Sequence, residues 1–140
     1  MSVTNTKREE FMKRVTVILA VLLLAFGVAY AKDYTVMKKA GGYTVYVKMD
    51  KNPPISGKNQ IEVSVQDASG AEIADAAVLV EYSMPAMPGM PAMNYKTKTE
   101  VKNKKYMATV DFSMSGAWNI NVKITRAGKT HSVKFNVDVS

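Results

Sequence analysis

An all-β fold, two antiparallel sheets packed face to face, is what this sequence predicts for residues 32–140. Three observations predict it. From Tyr34 onward, apolar residues recur at every second position, the period of a strand with one buried face. Turn-forming clusters interrupt that alternation about every eight to twelve residues. No stretch after Lys32 carries the 3.6-residue apolar repeat of an amphipathic helix. The pattern is that of an immunoglobulin-like antiparallel β-sandwich of seven to eight strands, with an N-terminal hydrophobic helix ahead of it.

Residues 1–31 read as a targeting segment. Lys7, Arg8, Lys13 and Arg14 precede an apolar run from Val15 to Ala31, which ends Ala29-Tyr30-Ala31. A basic start, a short apolar core and small residues at −3 and −1 make the pattern of a signal peptide cleaved after Ala31. The run is 17 residues long, at the lower edge of what spans a bilayer, so a retained inner-membrane anchor is the alternative. Either way the expected location is periplasmic or otherwise extracytoplasmic. The 140 residues include no cysteine, which excludes disulfides, thiolate metal sites and a lipid-modified cysteine.

The strands follow in order. Tyr34–Lys39 is a short first strand, broken at Gly41-Gly42. Tyr43, Val45, Val47 and Met49 share one face, with Thr44, Tyr46 and Lys48 opposite. Asn52-Pro53-Pro54 and Ser56-Gly57 make a loop, after which Ile61, Val63 and Val65 form the next buried face. Beyond the turn Asp67-Ala68-Ser69-Gly70, Val78, Val80 and Tyr82 face inward, and their parity reaches Met84. On the far side of a Pro-rich loop, Met93 is in phase with Tyr95, Thr97, Thr99 and Val101, read as one strand. Tyr106, Ala108, Val110 and Phe112 follow, with parity extending to Met114; then Trp118, Ile120, Val122 and Ile124; then Val133, Phe135, Val137 and Val139.

The loop at 84–93 is the most distinctive stretch. Met84-Pro85-Ala86-Met87-Pro88-Gly89-Met90-Pro91-Ala92-Met93 holds four of the ten methionines at a spacing of three. Its prolines rule out helix interior and central strand. Pro88-Gly89 has the composition of a type II turn, which would fold the segment into an arch with Met87 opposite Met90 and Met84 opposite Met93. A polyproline II run would instead lay the methionines along one edge. If each strand crosses the sandwich once, the arch shares an end with Ser113–Ala117 and the Lys51–Ser56 loop. The 102–104 and 127–129 turns and His131 fall at the other end.

Met84, Met93, Met114 and Trp118 therefore gather at one mouth, and three readings arise. The first three serve as apolar plugs around Trp118, held by sulfur–aromatic contacts. Alternatively, Met84, Met87, Met90 and Met93 bind Cu(I) or Ag(I), with Met114 and Trp118 accessory, since soft thioethers select such ions. No carboxylate lies between Ser83 and Thr99 to attract a hard cation. The third is a Met-rich contact surface for an envelope or membrane protein complex.

Other functions find less support. The 15 basic and 10 acidic residues of 32–140 leave a net charge of +5, spread over strand faces and turns such as Lys96–Lys105. Arg126 is the single arginine after the leader, and nucleic acid is not an expected partner. His131, the only histidine, lacks a Ser-centred elbow or phosphate loop to work with, so no enzyme and no small-molecule substrate are expected.

Gly57-Lys58-Asn59, the segment Gly70 to Val78, the Met-Pro loop, Tyr106 and Phe112-Ser113-Met114-Ser115-Gly116-Ala117-Trp118-Asn119-Ile120 together resemble the YtkA-like domain family and its FixH-type relatives. The resemblance covers roughly residues 43–139. It implies an immunoglobulin-like domain outside the cytoplasm, associated with metal efflux or with maturation of copper-containing respiratory oxidases, and no enzymatic activity. Two departures stand out. Related loops often carry a histidine beside the methionines, whereas here a copper site would rest on sulfur alone. FixH-type members keep their membrane span, whereas Ala29-Tyr30-Ala31 favours its removal.

Overall fold

Alternation in the sequence becomes alternation of burial in the computed structural model, which describes residues 33–140. The expected signal peptide or anchor at 1–31 lies outside the described residues. Nine strands follow one another: β1 (Tyr34–Ala40), β2 (Tyr43–Met49), β3 (Gly57–Gln66), β4 (Ala77–Met84), β5 (Met93–Lys98), β6 (Glu100–Lys102), β7 (Lys105–Phe112), β8 (Gly116–Arg126) and β9 (Lys129–Val139). They form two sheets, β1-β2-β3-β7-β6 and β5-β4-β8-β9, with every pairing antiparallel. The chain is thus a β-sandwich, with no helix among the described residues.

Between the sheets lie the residues whose parity marks them as inward. Val45, Val47 and Met49 of β2, and Ile61, Val63 and Val65 of β3, are sealed from solvent. Across from them sit Val80 and Tyr82 of β4, Ile120, Val122 and Ile124 of β8, and Val133, Phe135, Val137 and Val139 of β9. Each such side chain taken out of water contributes roughly 1.5–3 kcal/mol, which is why register is fixed. A slip of one residue would turn every one of them outward.

The stretch 93–101 departs from the single inward-facing strand expected there. β5 pairs with β4 in one sheet, and β6 pairs with β7 in the other. Thr99 is the corner, and its Oγ1 donates to Val78 O at 2.8 Å. Strands that switch sheets make the corners of sandwiches. Both halves are edge strands, covered on one side only, so Tyr95 and Val101 keep their inward parity yet stay exposed.

The apolar pattern also leaves out Ile73 and Asn59, which are buried and held by polar bonds. Ile73 lies between strands, and its N–H donates to Val65 O at 2.8 Å. Asn59 is buried in β3, where its Nδ2 donates to Ile55 O and Gly57 O and its Oδ1 accepts from Ile55 N. It holds the 51–56 loop in shape. Tyr106 plays the same part at the other end. Its hydroxyl donates to Ile73 O at 2.7 Å and accepts from Ala76 N at 3.0 Å. Burial pushes this phenol above its ordinary pKa.

Because the Tyr106 hydroxyl satisfies two backbone groups of the 73–76 link, Tyr106→Phe leaves both without that partner. We expect a loss of about 1–3 kcal/mol in urea-unfolding stability with an unchanged m-value. A loss below about 0.5 kcal/mol would mean that this bond does not secure the link.

Candidate functional site

The tight hairpins away from the methionine loop all turn with positive φ. Gly41-Gly42, Asn103-Lys104 and Ala127-Gly128 have φ of 56° and 84°, 50° and 63°, and 52° and 74°. That is the primed geometry whose twist suits a hairpin, and each flanking pair stays in the ladder. Pro88 cannot follow suit, since its ring fixes φ near −65°. Only Gly89 takes positive φ, at 80°, as the third residue of a type II turn. Met87 and Met90 exchange both backbone bonds, Met87 N–H to Met90 O at 3.0 Å and the reverse at 2.8 Å. The arch is therefore closed.

Its closure keeps the register of β4 and β5, with Met84 opposite Met93 and Met87 opposite Met90. Between the two pairs, residues 85–86 and 91–92 form no ladder. Pro85 and Pro91 have no N–H to give one. The four methionines accordingly divide into a base pair and a tip pair. Met84 is 3% exposed and belongs to the core, whereas Met87 and Met90 are 42% and 38% exposed. Met93 is half-buried. Paired residues carry their side chains on the same face of a hairpin, with Cβ atoms roughly 5 Å apart, so each pair offers two neighbouring thioethers.

The link between β7 and β8 abuts the base of the arch. Ser113 Oγ donates to Met93 Sδ at 3.4 Å. A Cβ added to Gly116, whose φ is 131°, would stand 3.0 Å from Met84 Cε. Glycine here gives the Met84 methyl its room. Met114 is half-buried against the core, and its carbonyl accepts the indole N–H of Trp118 at 3.0 Å. Trp118 itself is fully buried. Its ring lies 5.3 Å from that of Phe112 and 6.1 Å from those of Tyr82 and Tyr95. Tyr95 in turn stacks on Tyr82 at 5.4 Å.

The 51–56 loop comes to the same end. Ser56 N–H donates to Ser140 O and Ser140 N–H to Pro54 O, both at 2.9 Å, and Gly57 pairs with Phe112. His131 is at the opposite end, its ring over Gly41 and 5.9 Å from Tyr43. Of the candidate residues, then, Met84 and Trp118 are core, Met93 and Met114 line the rim, and Met87 and Met90 stand at the solvent tip. Ser113 and Tyr95 belong to this rim too. The sequence places Ser113 at this end without marking it as a partner of Met93, and the parity of Tyr95 points it inward.

A donor set of neutral thioethers is soft, and among the described residues no three His, Asp or Glu side chains cluster as a hard-cation site. A soft ion arriving from solvent meets Met87 and Met90 first. Met93 and Met114 come next, at the rim. Met84 and Trp118 are reached only by opening the core.

Comparison with known proteins fits this picture of the fold. No curated protein matches the chain. Among solved structures, the soluble domain of PmoD from Methylocystis sp. ATCC 49242 (Rockwell) is similar, with a TM-score of 0.50 and 10% sequence identity, over 74% of this chain and 96% of that one. At that identity the likeness concerns the fold. The YtkA-like family model matches residues 34–123, from the first residue of β1 to Lys123 within β8, and the chain belongs to the YtkA-like family.

Proposed function

We propose that the methionine rim takes up Cu(I) or Ag(I) outside the cytoplasm, as a non-enzymatic domain for periplasmic metal handling. The observation that carries this reading is the Met87–Met90 clasp. Two bulky apolar side chains are held side by side in water by a turn that contributes nothing to the core. Packing does not call for thioethers there, and soft-ion binding does. Met87 and Met90 act as the entry ligands, and Met93 and Met114 complete the coordination from the rim. Met84 and Trp118 back the site from within. The extracytoplasmic setting rests on the basic and apolar pattern of residues 1–31.

A second reading draws on the same exposure. Met87, Met90 and Tyr95 offer an apolar edge to an envelope complex, an efflux system or a respiratory oxidase under assembly, without binding metal. Leucine separates the two, because it keeps apolar bulk and loses the sulfur.

In an anaerobic Cu(I) titration against a competing chelator, the wild-type chain should bind one ion and Met87→Leu/Met90→Leu should bind at least about tenfold more weakly, a difference of about 1.4 kcal/mol. Equal affinity in the two proteins, or no uptake by either, removes the metal reading. A second substitution tests the turn itself. Gly89→Ala forces alanine to the left-handed φ of 80° at a cost of about 1–2 kcal/mol confined to the loop. Amide exchange at Met87 and Met90 should quicken and Cu(I) affinity should fall, with thermal unfolding moved by only a few degrees.

A further inference from the structure

The outward face of the β5-β4-β8-β9 sheet holds a depression of about 720 Å³ that the methionine rim does not use. Register sets its floor. Asn94, Ser83, Asn119 and Asn136 pair in one row across the four strands. Lys96, Glu81, Asn121 and Lys134 form the adjacent row. All point away from the core, because their neighbours in each strand point into it.

The chemistry of the two rows is specific. Carboxamides donate and accept at once, as sugar hydroxyls do. The single carboxylate is already engaged, with Asn121 Nδ2 donating to Glu81 Oε2 at 3.3 Å and Lys123 Nζ 3.0 Å from Oε1. Asn121 Oδ1 is buried and has no donor among the described residues. Lys96 and Lys134 enter no ion pair among the described residues. Three inter-strand steps separate them, roughly 14 Å between backbones. One row is amide and hydroxyl throughout, and the other carries a lysine at each end with the engaged Glu81 and Asn121 between them.

We propose that this face binds an acidic oligosaccharide of the uronate class. Its hydroxyls engage Asn94, Asn119, Asn121 and Asn136. Its carboxylates pair with Lys96 and Lys134. A single-stranded nucleic acid would want aromatic platforms, and the outward positions of these two rows supply none. A bare polyanion would satisfy the lysines and leave the amides idle.

The test is an NMR titration of the ¹⁵N-labelled full chain with oligogalacturonate, its methyl ester and inorganic polyphosphate. Oligogalacturonate should produce saturable shifts in the side-chain amides of the four asparagines, at least fivefold tighter than either other probe. Asn119→Ala/Asn136→Ala and Lys96→Gln/Lys134→Gln, all at exposed positions, should each weaken it at least fivefold. The proposal is overturned by absence of saturable shifts in the wild type, by polyphosphate binding as tightly, or by full affinity in the asparagine variant.

Discussion

The burial of Trp118 is the constraint on which this end of the molecule depends. An indole sealed from water must give its N–H an acceptor or lose the bond, and the acceptor is Met114 O, four residues back in the chain. That bond ties the β7–β8 link to the buried ring. The ring also ties the two sheets together, with Phe112 of β7 on one side and Tyr82 and Tyr95 of β4 and β5 on the other. Aromatic pairs of this kind contribute about 0.5–1.5 kcal/mol each beyond the area they bury. Tyr82 adds a polar tie, its hydroxyl accepting from Asp111 N–H at 3.2 Å. The rim is therefore held firmly where Met93 and Met114 rest on it.

Most of this fold was legible because burial in a sandwich has the same period as the strand itself. Every inward residue of β2, β4, β7, β8 and β9 was marked by parity alone. Legibility failed where a residue is placed by hydrogen bonds to distant backbone. Asn59 has inward parity but a polar side chain, and is buried because three bonds to residues 55 and 57 satisfy its amide. Ile73 sits in a segment with no periodicity to read. Thr99 continued the alternation of its neighbours, and nothing in residue type announced that the chain changes sheets there. The residues that carry the family resemblance turn out to include several such fasteners: Asn59, Tyr106, and Asp75, whose Oδ1 is 2.9 Å from Arg126 Nε.

The arch was legible as a turn, since Pro-Gly admits few others, but its division into two methionine pairs was not. A spacing of three suggests equivalence. In a hairpin it is an odd step, so the base pair and the tip pair fall on opposite faces wherever the pleat persists. The type II turn compounds this, because its twist opposes that of the strands it joins. Prolines at 85 and 91 then keep the ladder from bridging the gap. Met87 and Met90 are already side by side, and bringing Met93 and Met114 onto the same ion needs the Pro-Ala segments to swivel.

The pleat also separates the two surfaces. Ser83 and Met84 are neighbours in β4, and Asn94 and Met93 are neighbours in β5, yet in each pair one side chain lines the amide face and the other points inward, Met84 into the core and Met93 to the rim. Successive residues of a strand point to opposite sides. Chemistry on one face therefore makes no steric demand on the other, although they share a backbone. What links them is the position of β5, an edge strand held by β4 on one side and free on the other. A shift of β5 along β4 would move Met93 and Asn94 together. The Trp118–Tyr95 contact and the Ser113–Met93 bond oppose that shift from inside, so the packing that stiffens the rim also fixes the amide row.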